Sequence, residues 1–72
     1  LKRLNARPLA LSPREIEILP RLSTGATNRE LAKALFISEA TVKTHLVHIY
    51  DKLGVDNRTA ALREARDRRL IR

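Results

Sequence analysis

TNRELAKALFISEATVKTHLV, running from Thr27 to Val47, decides the fold of this chain. Thr27-Asn28-Arg29-Glu30 reads as a capping box, in which the Thr27 hydroxyl accepts from the Glu30 N–H and the Glu30 carboxylate reaches back to the Thr27 N–H. It opens a short helix, 28–35, with Leu31, Ala32 and Leu35 on one side. Phe36, Ile37 and Ser38 interrupt that period, and Ser38 is placed to cap a third helix through the N–H of Ala40 or Thr41. In this helix, 39–53, Val42, His45, Leu46, Ile49 and Leu53 keep the three-and-four spacing of a buried stripe, and Gly54 can terminate it. Two apolar helices joined by a three-residue turn cannot stack antiparallel and must cross steeply, which makes 28–47 a helix-turn-helix unit. Small Ala32 lets the helices approach, while Leu31, Leu35, Ile37, Val42 and His45 supply the inward positions that fix the angle.

Upstream, Ser12-Pro13-Arg14-Glu15 combines a cap hydroxyl, a proline at the first helical position and a capping-box glutamate. The helix it starts, 13–24, is expected to bury Ile16, Ile18, Leu19 and Leu22 and to close at Gly25. Pro20 removes the hydrogen bond to the carbonyl of Ile16, so a bend is expected there. Downstream, Asp56 or Asn57 can cap a fourth helix, 58–68, that packs through Ala61, Leu62 and Ala65 and frays through Arg66 to Arg69. Residues 1–11 have no sustained period and contain Pro8, reading as a linker ahead of one domain over 12–72. The expected fold is all-α, a four-helix bundle containing a helix-turn-helix, with no strand.

Composition narrows the class. Seventy-two residues suffice for one small core, and with one Phe, one Tyr and no Trp that core must be aliphatic. The absence of cysteine rules out disulfides and thiolate metal sites. No apolar run approaches the roughly 20 residues that span a bilayer, so no membrane partner and a cytoplasmic location are expected. The chain starts at Leu1 rather than a methionine, which suggests a preceding regulatory domain that is absent here. A net charge of +7 points to an anionic partner, but residues 1–10 and 54–72 carry most of it and the middle is nearly balanced. Charge alone therefore fits RNA, acidic lipid or an acidic protein as well as duplex DNA.

The outward side of the third helix separates these readings. Ala40, Lys43, Thr44, Val47 and His48 occupy its N-terminal half, the part with which recognition helices typically contact base edges, and Asp51 follows them. Lys43 can donate to guanine or to a phosphate, the Thr44 hydroxyl can bond several groups, and Val47 can contact a thymine methyl. Thr27, Asn28, Ser38 and Thr41 sit beside the positive N-terminal ends of the second and third helices and are phosphate candidates. Each has a plainer reading as part of a solvated helix face. His45 and His48 lack a third ligand, so no metal or other cofactor is expected, and His45 reads as a packed, hydrogen-bonded core residue. Tyr50 reads as structural, with its ring packed. Arg63, Arg66, Arg68 and Arg69 fit a solubilising end as well as a partner surface. An enzyme is not expected, since no nucleophile, acid and base converge and no glycine loop can cradle a phosphate.

Leu11-Ser12-x-Arg14-Glu15, Gly25-x-Thr27-Asn28-x-Glu30-x-Ala32, Ile37-Ser38, Thr41-Val42-Lys43-x-His45 and Lys52-Leu53-Gly54-Val55 together resemble the LuxR-type (LuxR/FixJ/NarL) C-terminal DNA-binding domain from Leu11 to Ile71. The resemblance implies the effector domain of a bacterial transcriptional regulator, of the two-component response-regulator kind. Its third helix would lie in the major groove of double-stranded DNA. It also implies a homodimer contact through the fourth helix, for which Thr59, Leu62 and Arg66 are the candidates, and RNA polymerase as a further candidate partner. Many relatives carry a polar or basic residue where Val47 stands, Pro20 is unusual for the first helix, and a large residue such as Phe36 in the turn is common in this branch. The alternatives are a sigma-factor-like promoter-binding domain, against which the Lys52–Val55 segment and a capped fourth helix weigh, and a protein-interaction bundle without DNA binding.

Overall fold

Each described helix of this chain begins on a side chain that takes up an N–H otherwise left without a partner. In the computed structural model, which describes residues 10–72, the helices are α1 (Pro13–Ser23), α2 (Asn28–Leu35), α3 (Glu39–Leu53) and α4 (Arg58–Asp67), with no strand among the described residues. The Ser12–Glu15 capping box closes at 3.2 and 2.8 Å, and that of Thr27 and Glu30 at 3.1 and 2.8 Å. Ser38 takes the Thr41 N–H at 3.0 Å, and Asn57 rather than Asp56 caps α4, accepting from Ala60 at 2.9 Å.

The helix ends share one device. A left-handed residue turns two successive N–H groups back onto the last turn. Gly25 and Ala26 donate to Leu22 and Arg21, Phe36 and Ile37 to Lys33 and Ala32, Gly54 and Val55 to Asp51 and Tyr50, Arg69 and Leu70 to Arg66 and Ala65. The four turning residues have φ of 85°, 58°, 73° and 60°. The expected fraying through Arg66–Arg69 is therefore corrected: α4 stops after Asp67 and is closed by Arg69, with Arg68 paired to Glu64 at 2.7 Å.

Ile18, Leu19 and Leu22 of α1, Leu31, Ala32 and Leu35 of α2, Val42, Leu46, Ile49 and Leu53 of α3, and Ala61 and Ala65 of α4 form one buried aliphatic core. The two alanines of α4 let its backbone come close to α1 and α3. Leu62 and Tyr50 pack at the edge of the core, and so does Leu11, assigned above to the linker; the rest of that linker through residue 9 lies outside the described residues.

Two inward assignments are corrected. Ile16 is 53% exposed, because the buried stripe of α1 runs through Glu15, Ile18, Leu19 and Leu22 and turns Ile16 outward with Pro20 and Ser23. The helix continues through Pro20, and the carbonyl that Pro20 leaves without a donor belongs to a residue on the solvated side. His45 is half-buried rather than sealed in the core, and among the described residues its ring makes no hydrogen bond.

Glu15 is only 3% exposed, and Lys52 at the end of α3 donates to its Oε1 at 2.8 Å. Burial pushes the carboxyl up, but the Lys52 ammonium and the Ser12 N–H and hydroxyl outweigh it, holding Glu15 below the usual glutamate range. A folded-state value below the unfolded one contributes stability that is fully present above the unfolded value of about 4.3 and is lost as pH falls through the folded value. Lys52→Met should therefore cost about 2 kcal/mol at pH 7, below the range for a fully sealed pair because Lys52 is partly solvated. In urea unfolding the gap between variant and wild type should narrow as pH falls below 4; a gap equal at both pH values would show that the pair contributes nothing.

Phe36 is 93% exposed and left-handed, so its side chain gains no burial from a conformation that an L-residue adopts at a cost of about 1–2 kcal/mol. Glycine would relieve that strain while losing roughly 0.5–1 kcal/mol more chain entropy on folding. Phe36→Gly should raise stability by up to about 1 kcal/mol and the melting midpoint by a few degrees. A lower midpoint would mean that the phenyl ring contributes to the fold.

Candidate nucleic-acid interface

The three-residue turn after α2 sets where α3 points. Left-handed Phe36 reverses the chain, half-buried Ile37 pins it to the core, and Ser38 restarts the helix. With Val42, Leu46 and Ile49 directed into the core, the opposite side of α3 is left to solvent. Ala40, Lys43, Thr44, Val47 and His48 are all exposed there, one above another at the three-and-four spacing of a single face, with Asp51 at its lower end. Val47 is 62% exposed, a large aliphatic side chain left outside the buried core.

The hydrogen bonds on this face refine what each group can offer. The Thr44 hydroxyl donates to the Ala40 carbonyl at 3.2 Å, leaving its oxygen as an acceptor and its methyl group outward. The Ser38 and Thr41 hydroxyls lie 2.9 Å apart, so one donates to the other and a single O–H remains for an external acceptor. Helix geometry leaves the N–H groups of Glu39 and Ala40 without intrahelical partners, and the same holds for Asn28 and Arg29 at the start of α2. Thr27 is exposed, and its oxygen already accepts from Glu30, so its hydroxyl hydrogen is free to donate outward. Asn28 is half-buried at the first position of α2.

Thr59 and Arg66 are exposed on α4, while Leu62 between them leans on the core. The Arg66 Nε donates to the Arg72 carbonyl at 3.2 Å, so that side chain is folded back along the C-terminal turn. No group of three metal-ligating side chains comes together among the described residues, and no helix there is long and apolar enough to cross a membrane.

The sequence reading gave no role to Arg58. Its Nη1 donates to the Ala26 carbonyl at 2.8 Å and its Nη2 to Asn28 Oδ1 at 3.1 Å, tying α4 to the loop that precedes α2. A signal was present: an arginine in the first helical turn, without an acid beside it, sits at the wrong end of the helix dipole. Such placements need a partner elsewhere.

Residues 9–65 match the family described as bacterial regulatory proteins, luxR family. The chain is 54% identical over 57 residues to the CsgBAC operon transcriptional regulatory protein of Escherichia coli K12, covering 79% of this chain and 26% of that protein. It is 44% identical over 71 residues to the probable transcriptional regulatory protein NarL of Mycobacterium tuberculosis H37Rv, covering 96% of this chain and 33% of that protein. It therefore spans a third or less of the length of these relatives. The crystal structure of the response regulator ChrA, from a heme-sensing two-component system, superposes with a TM-score of 0.85 at 67% identity, over 97% of this chain and 33% of that one. The family match takes in the α2–turn–α3 unit and its exposed face, and with it the caps and the Glu15–Lys52 pair that hold that face in place. The chain belongs to the LuxR family of bacterial regulatory proteins.

Proposed function

We propose that this chain is the DNA-reading effector domain of a cytoplasmic bacterial transcriptional regulator of the response-regulator type, folded over 12–72, and that α3 enters the major groove of double-stranded DNA. The observation that carries the reading is the uncovered face of α3, held outward by the crossing of α2 and α3 in a chain of the LuxR family. Lys43, Thr44 and Val47 are its base-reading residues, with Ala40 and His48 flanking them on the same face. Lys43 donates to guanine or to a neighbouring phosphate. Thr44 accepts from an exocyclic amine of adenine or cytosine, since its own hydrogen is committed to Ala40. Val47 packs on a thymine methyl.

Thr27, Asn28, Ser38 and Thr41 hold the phosphate backbone and set the register without reading sequence. Two copies, joined through Thr59, Leu62 and Arg66 of α4, read half-sites about one helical turn apart. An N-terminal regulatory domain raises the local concentration of a second copy, and RNA polymerase is the partner downstream. This is a binding role, without catalysis.

Selection of duplexes from a random pool at two salt concentrations tests the proposal. A short dyad motif should be enriched by the wild type, and Lys43→Ala should lose that enrichment at the position Lys43 reads. Salt-sensitive binding without enrichment would reduce the face to a basic surface, and no duplex binding even by a dimerised form would favour a protein-interaction bundle. On the selected site, Lys43→Ala should cost roughly 1–3 kcal/mol and relax preference at one base pair; uniform weakening across sequences would make Lys43 a phosphate contact instead. Val47→Ala should weaken binding only where the contacted position is thymine, and unchanged affinity on every site would remove Val47 from the reading set.

A further inference from the structure

We infer that Arg58 is a positioning residue for DNA binding: it holds the Asn28 side-chain amide with its NH2 group turned outward as a phosphate donor. The inference rests on the reading of Asn28 as a backbone contact given above. An amide offers an acceptor at one end and a donor at the other, and rotation about the side chain exchanges them. A guanidinium can only donate. The Arg58 Nη2, 3.1 Å from Oδ1, therefore selects the amide orientation in which the oxygen faces inward and Nδ2 faces away. Among the described residues Nδ2 has no hydrogen-bond partner, so both its hydrogens remain to be used.

The second arm of the fork makes this a clamp rather than a chance contact. Arg58 Nη1 bonds the Ala26 carbonyl at 2.8 Å, fixing the backbone just ahead of the Thr27–Glu30 capping box. One planar side chain thus sets both the path of the loop into α2 and the orientation of the first side chain on α2. Lysine keeps the charge but lacks the planar fork that addresses the two acceptors from two separate nitrogens. The interaction of Arg58 with the dipole of α4 is unfavourable, which agrees with a residue kept for what it does across the fold rather than for its own helix.

The test uses the whole chain and a duplex that it binds, with affinity measured for Arg58→Lys, Asn28→Ala and the double variant over a range of salt. Arg58→Lys keeps the charge and loses the fork, so affinity should fall roughly tenfold, the scale of one hydrogen bond to a charged group, with an unchanged salt slope. Asn28→Ala should fall by a similar factor and the double variant little further, because both remove the same contact. Circular dichroism melts keep each measurement below unfolding. Asn28→Asp supplies a readout that loosened folding would not produce: it should tighten the bond to Arg58 and raise the melting midpoint while weakening DNA binding. Wild-type affinity for Arg58→Lys, or fully additive losses in the double variant, would overturn the inference while leaving DNA binding intact. Absence of duplex binding by the wild type would overturn the proposed function and this inference together.

Discussion

Between Leu35 and Glu39 the chain has three residues in which to end one helix, change direction and begin the next. Everything that faces outward depends on how that turn is made. Phe36 supplies the left-handed step, and its N–H and that of Ile37 fold back onto Lys33 and Ala32. Ser38 then takes the first free N–H of α3 that its side chain can reach. With both helix ends satisfied locally, the crossing of α2 and α3 is fixed by the packing of Leu31, Ala32, Leu35 and Val42, and the free side of α3 is what remains. A longer loop would allow α3 to fold down antiparallel to α2, which would change the direction in which this face points.

The direction that this turn gives α3 is also secured at the far end of the helix. The Glu15–Lys52 pair and the α4 alanines provide that support. Glu15 serves two purposes with one carboxylate, since Oε1 accepts both from the Ser12 N–H and from the Lys52 ammonium. The start of α1 and the end of α3 are thereby tied to the same oxygen. This arrangement explains why a carboxylate is kept almost free of solvent in a core that, among the described residues, otherwise contains only aliphatic side chains.

The sequence made the elements legible because their signals are local. Capping boxes at Ser12 and Thr27, the glycines at 25 and 54 and the three-and-four spacing all act within a few residues, and the helix bounds they imply agree with the structure to within one residue. The exposed face of α3 was legible for the same reason, being the complement of a periodic stripe. What escaped were interactions between distant residues. Glu15 looked complete as a capping residue, so nothing pointed to Lys52 thirty-seven positions away. Ile16 looked like core because apolar residues crowd α1, and only the burial of Glu15 shows how far the stripe is rotated. Arg58 lay in the stretch 54–72, whose surplus of basic residues composition alone assigns to solvent. The left-handed Arg69 has no sequence signature, as any residue but glycine there goes against preference.

The uniform closure of the four helices has a kinetic consequence. Each helix carries its own start and stop, so its bounds are encoded locally even though its stability comes from packing. Nucleation is the slow part of forming an isolated helix, and fixed ends limit the number of registers that must be searched. The long-range polar links, Glu15 to Lys52 and Arg58 to Ala26 and Asn28, join segments whose ends are set locally. Topologies dominated by local contacts fold in about microseconds to milliseconds. A domain whose helix ends are encoded locally has few competing helix registers, so its crossing of α2 and α3 is reached without a long search over helix lengths.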